Sequence, residues 1–360
     1  MGLTEKEEKI LKSIKIASEN DPHKPEFPAD DPKFPATPTY EIDVPGFREV
    51  LLKDESKNPT GTHKDRMAWE MVVTYRDFLL AKKRDQTTSK LPQLSLITAG
   101  SAGIAVQAQL KKYALPNLKA VLDRNISNKI ERDLKRLGCE IYKTELNLKV
   151  LDWKDVLRLT ENPNGIDITS NEAPGPTTRY YDWLSYEIIN SSPDYCFIPF
   201  GSGNLYENIL NINKKEVSSL HHDPRFKGQV NTLRNCNFLG AISTDPFSRA
   251  DKLYSPHLPY SHYDEQWIKT YRQSGFCGPE SQVHVINENY LNKAMDIADD
   301  NDIEYEPSGI AGLAVMLQLE KKIPKNKRML IVSTGKTKLP DWVETNAKLK
   351  WFNTPQVLNV

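Results

Sequence analysis

The chain has 360 residues, in which 48 lysines and arginines balance 48 aspartates and glutamates. This length predicts two compact units, and a neutral chain lacks the positive field that non-specific nucleic-acid binding requires. No apolar run is long enough for a membrane span, and the N-terminus lacks the apolar core of a secretory signal. The four cysteines form no CxxC pair. We therefore expect a cytoplasmic protein that binds neither nucleic acid nor membranes and has no disulfide framework or zinc knuckle.

Both ends of the chain are predicted to lie outside the compact units. In the first twenty residues, apolar side chains recur at near-helical spacing among charged ones, which indicates an exposed amphipathic helix. The prolines between Pro22 and Pro45 then favour an extended arm, because proline fixes φ and lacks an N–H donor. We assign residues 1–45 to this helix and arm and residues 346–360 to a C-terminal tail.

Beyond the arm, short apolar runs alternate with helical patterns. Strands are predicted at 94–99, 118–122, 139–144, 195–200, 238–243 and 329–333. Helices are predicted to end near Tyr113 and to cover 127–137, 177–190, 289–300 and 309–322. This alternation predicts an α/β fold whose mainly parallel sheets are covered on both faces. Ligands bind such sheets at the carboxyl ends of the strands.

Three loops at such positions carry the chemistry. They are KNPTGTHKDR (57–66), which contains Lys64, TAGSAG (98–103) and GSGNL (201–205). Glycines let the backbone approach a ligand, and a following helix offers free N–H groups and the positive end of its dipole. GSGNL is therefore a candidate phosphate cradle.

The order of these loops, followed by EPSGIAGLA (306–314) and IVSTGK (331–336), resembles the fold-type II family of pyridoxal-phosphate enzymes. That family includes threonine synthase, serine/threonine dehydratase, cysteine synthase and the tryptophan synthase β chain. NPTG-x-x-KDR and STGK-x-K-LPD look most like threonine synthase. The resemblance implies two three-layer α/β/α domains with mainly parallel sheets. The large cofactor-binding domain would comprise 46–85 and 175–345, and the small substrate-binding domain 86–174.

The resemblance also implies the cofactor and its ligands. Lys64 would form a Schiff base with pyridoxal 5′-phosphate. The cofactor phosphate would be held by Gly201, Ser202, Gly203, Asn204 and Leu205. Thr334, or Ser333 if the register slips by one, would face the pyridine nitrogen, where a hydroxyl leaves a weaker electron sink suited to elimination and replacement. His63 would either approach the phosphate or pack against a neighbour.

The loop at 98–103 departs from the family pattern S-x-GN-x-G. Ser101 stands where the family has an asparagine that hydrogen-bonds the 3′-oxygen of the cofactor. The substrate α-carboxylate is expected to bind the backbone of Thr98, Ala99, Gly100, Ser101 and Ala102. Because serine is shorter than asparagine, reduced activity remains an alternative.

The implied activity is that of a lyase acting on a hydroxy- or phospho-hydroxy amino acid, with Lys64 as the base for the α-proton. One alternative is a serine/threonine dehydratase or a cysteine-synthase-like β-replacement enzyme, and another is a catalytically impaired cofactor-binding protein. A homodimer is expected from the resemblance. The seven histidines show no HExxH spacing, so no metal site is expected. Residues 244–282 match no family motif.

Overall fold

A computed structural model describes most of the chain. The described residues are 35–85, 91–146, 148, 151–169, 180–254 and 265–340, with Glu5, Glu8, Lys9 and Lys12. They fall into two compact units, one within Lys64–Tyr180 and one comprising Ala36–His63 and Tyr181–Thr337. We call these the four-stranded unit and the six-stranded unit after their sheets. The predicted tail, most of the N-terminal helix and most of the arm lie outside the described residues.

The six-stranded unit is built on a mainly parallel sheet. Its strands are β1 (Thr39–Glu41), β2 (Glu49–Asp54), β7 (Tyr195–Pro199), β8 (Asn237–Ile242), β9 (Gln282–Val285) and β10 (Arg328–Ser333). They lie in the order β1-β2-β10-β7-β8-β9, and β1 alone runs antiparallel to its neighbour. Every residue of β7 is buried, as expected for a strand covered on both faces.

Among the described residues of this unit, six α-helices accompany the sheet. They are α5 (Asp182–Asn190), α6 (Asn204–Ser218), α7 (Val230–Asn235), α8 (Glu265–Gln273), α9 (Glu288–Asp300) and α10 (Ala311–Gln318). Helix α10 is apolar on all sides and packs on β7 and β8. Its side chains share the core with Phe197 and Leu239.

The four-stranded unit has an entirely parallel sheet. Its strands are β3 (Leu94–Ile97), β4 (Lys119–Asp123), β5 (Glu140–Thr144) and β6 (Ile166–Asp167), in the order β5-β4-β3-β6. Its helices are α1 (Lys64–Asp85), α2 (Ser101–Lys112), α3 (Asn128–Leu137) and α4 (Trp153–Leu159). Helix α1 packs on α2. Residues 64–85, predicted as part of the large domain, lie in the four-stranded unit, and residues 36–45 of the predicted arm lie in the six-stranded unit.

The six predicted strands are all present, within two residues at either end. Four strands were missed. Strands β1 and β6 are very short, and β9 is an edge strand that is only partly buried, so none has a long apolar run. Strand β2 (EVLLKD) begins and ends in charged residues, although Lys53 and Asp54 are buried. The helix predicted at 309–322 is shorter, and 177–179 lie outside the described residues.

Candidate active site

The loop Gly201–Leu205 connects β7 to helix α6. Gly203 caps this helix with φ of +86° and, as a glycine, supplies no side chain to cap the first turn. A Cβ atom at Gly203 would lie 2.8 Å from Phe200 Cζ, and one at Gly201 would lie 3.0 Å from the Lys252 carbonyl oxygen. The first turn of a 15-residue helix thus presents its N–H groups beside two glycines, of which Gly203 has a left-handed φ and Gly201 packs closely on the Lys252 carbonyl. This cradle fits a phosphate group.

Ser333 and Thr334 lie at the carboxyl end of β10, which runs parallel to β7. The Ser333 side chain is fully buried, and its Oγ has no hydrogen-bond partner among the described residues. Leaving a buried hydroxyl unsatisfied costs on the order of 1–3 kcal/mol, so binding a ligand atom at this Oγ would be favourable. The backbone of Thr334 is held by a hydrogen bond, in which its N–H donates to Gly309 O at 3.1 Å. The site therefore offers hydroxyl groups that fit a pyridine nitrogen. The Ser333 hydroxyl is the one shown to lack a hydrogen-bond partner among the described residues.

The segment that leads to Lys64 begins where β2 ends, at the same edge of the sheet. Strand β2 is parallel to β10, with Asp54 opposite Ser333. The buried Glu55 carboxylate accepts hydrogen bonds from Thr37 Oγ1 at 2.5 Å and from Asn58 Nδ2 at 2.8 Å. This network holds the turn that precedes Thr60.

The same segment is then hydrogen-bonded to the loop after β10. Gly61 O accepts the N–H of Lys336 at 2.8 Å, and the N–H of His63 donates to Thr334 O at 3.3 Å. A Cβ atom at Gly335 would lie 2.1 Å from Gly61 O, so the two backbones approach more closely than any side chain would permit. Lys64 follows as the first residue of α1 and is half-buried.

His63 packs against an aromatic ring. Its imidazole stacks on Tyr181 with ring centroids 5.5 Å apart and an interplanar angle of 29°. Tyr181 is buried. Of the two roles considered for His63, the geometry shows the packing contact, and an approach to the phosphate stays a prediction.

The loop at 98–103 lies in the four-stranded unit, between β3 and α2. Gly100 caps α2 with φ of +128°, and a Cβ atom there would lie 2.8 Å from Ile130 Cγ2. Thr98 Oγ1 accepts the N–H groups of Gly100 at 3.0 Å and of Gly103 at 3.1 Å. One of the amides expected to bind a carboxylate, that of Gly100, is therefore bound to Thr98, together with the amide of Gly103 at the end of the loop.

The remaining residues of that loop differ in exposure. Ala99 is exposed, whereas Ser101 and Ala102 are half-buried in the first turn of α2. Their backbone groups stay candidates for binding the substrate. The motif itself predicted the loop, but not that Thr98 would act as an acceptor within it.

The unmatched segment 244–282 contributes a residue that the motifs missed. A 3₁₀ turn at Asp251–Leu253 places the Lys252 carbonyl beside Gly201, and the Lys252 ammonium lies 2.5 Å from Glu306 Oε2. Glu306 and Ser308 belong to the motif EPSGIAGLA. Ser308 Oγ accepts the Lys252 N–H at 3.1 Å, so both residues contact this segment.

All four cysteines are buried and form no disulfide within the described residues. Burial raises the pKa of the Cys139 thiol to about 12 and also raises the pKa values of the other three thiols, Cys196, Cys236 and Cys277. Such thiols stay protonated near neutral pH and are poor nucleophiles. The described side chains contain no cluster of three metal-ligand groups, and no described helix could cross a membrane.

Comparison with known proteins gives a match over most of the chain. The profile of a family described as "pyridoxal-phosphate dependent enzyme" matches residues 35–335. Cystathionine beta-synthase of Apis mellifera is 24% identical over 310 residues, which cover 82% of this chain and 54% of that protein. The chain therefore spans about half the length of this curated relative.

Two solved structures share the fold. A pyridoxal 5′-phosphate-dependent aspartate racemase has a TM-score of 0.61 at 14% identity, covering 91% of this chain and 94% of its own. Diaminopropionate ammonia lyase from Escherichia coli has a TM-score of 0.59 at 16% identity, covering 95% and 92%. The expected architecture of α/β/α domains with mainly parallel sheets is confirmed. By its sequence match, its two mainly parallel sheets and a glycine loop that fits a phosphate, the chain belongs to the pyridoxal-phosphate dependent enzymes of fold type II, with pyridoxal 5′-phosphate as cofactor.

Proposed function

We propose that the protein is a lyase that acts on a hydroxy- or phospho-hydroxy amino acid, as threonine synthase does. The reaction would remove the α-proton and then a β or γ substituent, by elimination or replacement. The residue patterns of two motifs support this choice. They are NPTG-x-x-KDR around Lys64 and STGK-x-K-LPD, which begins at the last residue of β10.

The observation that carries the proposal is the meeting of three loops at one edge of the six-stranded sheet. Adjacent parallel strands β2, β10 and β7 end there. They are followed by the segment leading to Lys64, by Thr334, and by the glycine loop. Ligand sites in parallel sheets lie at this edge, and the three loops offer the amine, hydroxyl and phosphate cradle that the cofactor requires.

Each residue has a distinct role in this proposal. The N–H groups of Gly201–Leu205 and the Ser202 hydroxyl bind the phosphate, while Ser333 or Thr334 hydrogen-bonds the pyridine nitrogen. The bound cofactor supplies the electron sink for a carbanion at the substrate α-carbon. Lys64 would hold the cofactor covalently, and its amine would move the α-proton of the substrate.

The substrate carboxylate would bind the loop of the four-stranded unit. Thr98 orders this loop by accepting two of its N–H groups. The amides of Ala99, Ser101 and Ala102 then provide the carboxylate site. Ser101 provides a hydroxyl where the family pattern has an asparagine amide.

The proposal is tested by the absorbance spectrum of the purified protein and of Lys64→Ala, before and after adding O-phosphohomoserine, serine or threonine. We expect a visible cofactor band in the wild type, and treatment with borohydride should bleach it. Borohydride fixes the cofactor to the lysine as a covalent label, which should be recovered on the peptide containing Lys64. Lys64→Ala should lose the covalent label and the activity. A label on another lysine would contradict the assigned role of Lys64.

The substrate panel also separates the alternatives. The cystathionine beta-synthase relative favours a β-replacement on serine with a sulfur nucleophile as the second candidate, and a dehydratase would release ammonia from serine or threonine. A spectrum that responds to none of these amino acids would favour a catalytically impaired cofactor-binding protein. The homodimer and the cytoplasmic location stay predictions from the resemblance and the composition.

A further inference from the structure

Lys252 lies against the glycine loop although no motif includes it. Its carbonyl oxygen is 3.0 Å from the position that a Cβ atom of Gly201 would occupy. Its N–H donates to Ser308 Oγ at 3.1 Å. The backbone of Lys252 is therefore held between the glycine loop and the turn that precedes α10.

The side chain of Lys252 joins two further loops. Its Nζ lies 2.5 Å from Glu306 Oε2 and 2.8 Å from Thr337 Oγ1. The Glu306 carboxylate also accepts the Thr337 N–H at 3.4 Å, and the N–H of Glu306 donates to Gly335 O at 3.2 Å. Lys252 thus binds a carboxylate whose backbone is attached to the loop following Thr334.

The ion pair has an electrostatic consequence for the site. The side chains of Lys252 and Glu306 are only 23% and 19% exposed, so water screens them less than a surface pair. If the ammonium were absent, the Glu306 carboxylate would lose this counter-charge next to the loop that follows Thr334, while Lys252 itself lies against the glycine loop. A like charge near a bound phosphate weakens its binding.

We propose that Lys252 is a positioning residue for the cofactor, which neutralises Glu306 and so lets the Gly201–Leu205 loop bind the phosphate. This inference rests on the phosphate role given to the loop under the proposed function. Lys252 contacts neither the reacting atoms nor the substrate in this role; it acts through Glu306. Loss of a purely structural ion pair would lower the free energy of unfolding of Lys252→Met. Loss of a neutralising lysine raises the Kd for the cofactor, and that effect disappears once the carboxylate is also removed.

The test compares pyridoxal 5′-phosphate binding to the apo forms of the wild type, Lys252→Met, Lys252→Arg, Glu306→Gln and the double variant K252M/E306Q. Equilibrium dialysis gives the Kd, and circular dichroism checks the fold. We expect Lys252→Met to weaken binding about tenfold and the double variant to return to within about threefold of the wild type. Lys252→Arg should bind nearly as well as the wild type.

A matched control lies at the opposite end of the same strands. Lys327 Nζ pairs with Asp194 Oδ1 at 3.3 Å, where β10 and β7 begin. Lys327→Met should leave the Kd unchanged. If Lys252→Met does not fold, Lys252→Gln alone and with Glu306→Gln provides the same comparison with a shorter uncharged side chain.

Two results would overturn the inference while the proposed function stands. One is unchanged binding in Lys252→Met, and the other is a double variant that binds as weakly as Lys252→Met. If Gly203→Ala also leaves the Kd unchanged, the phosphate role of the loop fails, and this inference fails with it.

Discussion

His63 donates its backbone N–H to the carbonyl oxygen of Thr334 at 3.3 Å. This bond joins the residue before Lys64 to the residue that follows β10. Since consecutive Cα atoms are only about 3.8 Å apart, it restricts where the Lys64 backbone can lie. The segment 55–63 is thereby attached to the six-stranded sheet at the edge where the glycine loop also begins.

Asn58→Ala should destabilise this segment. Asn58 Nδ2 donates to Glu55 Oε2 at 2.8 Å and to Glu55 O at 3.0 Å, and both residues are buried. Losing a donor to a buried carboxylate should lower the free energy of unfolding by about 1–3 kcal/mol. Urea denaturation measures this. The exposed Asn235, whose Nδ2 donates to Asn231 O, provides the control Asn235→Ala, and an equal loss in both variants would argue against the network.

Gly203→Ala should weaken binding of the cofactor by about tenfold or more, because the new Cβ meets Phe200 and the positive φ adds strain of order 1–3 kcal/mol. Gly275→Ala is the control, since Gly275 also has a positive φ but nothing lies within 4 Å of the added Cβ. Equilibrium dialysis with pyridoxal 5′-phosphate should show a higher Kd for Gly203→Ala alone. Equal Kd values in the two variants would remove the loop from the phosphate site.

Ser333→Ala should separate stability from cofactor binding. Without cofactor, deleting an unsatisfied buried hydroxyl should leave the free energy of unfolding unchanged or raise it by up to about 1 kcal/mol. Cofactor affinity should fall roughly threefold to tenfold if this hydroxyl binds the pyridine nitrogen. Ser281→Ala is the contrast, because the buried Ser281 Oγ accepts the N–H of Phe238 at 3.0 Å and its loss should destabilise.

The corresponding Thr334→Ala variant decides between the two hydroxyls. An affinity loss in Thr334→Ala but not in Ser333→Ala would assign the pyridine nitrogen to Thr334, as the motif alignment predicts. Losses in neither variant would contradict a hydroxyl at that nitrogen.

Thr98→Val should impair substrate binding and leave cofactor binding intact. Valine has the same shape but cannot accept the N–H groups of Gly100 and Gly103. We expect roughly tenfold weaker binding of an added amino acid such as serine, seen as the change in the cofactor absorbance. Thr98→Ser keeps the Oγ acceptor and should bind as the wild type does. If both variants behave alike, the hydroxyl does not order the loop.

Much of the fold was predictable because buried parallel strands have continuous apolar sequences. Strands β7 and β10 are buried over nearly their whole length and were predicted within one residue. Edge strands such as β9 lack this signal. Their side chains are only partly buried, so their sequences need not be continuously apolar. The assignment of α1 to the four-stranded unit depends on its packing against α2, which no local pattern indicates.

The sequence by itself determined the family, the cofactor and the loops that carry Lys64, Gly201 and Thr334, because these depend on short motifs whose residue types have chemical meaning. Only the tertiary structure decided which polar and charged groups form hydrogen bonds or ion pairs with one another. Thr98 is bound to two amides of its own loop, Ser333 retains an unsatisfied hydroxyl, and Lys252 pairs with Glu306 across 54 residues. Such pairings depend on distances set by packing between distant segments, and local sequence patterns do not encode them.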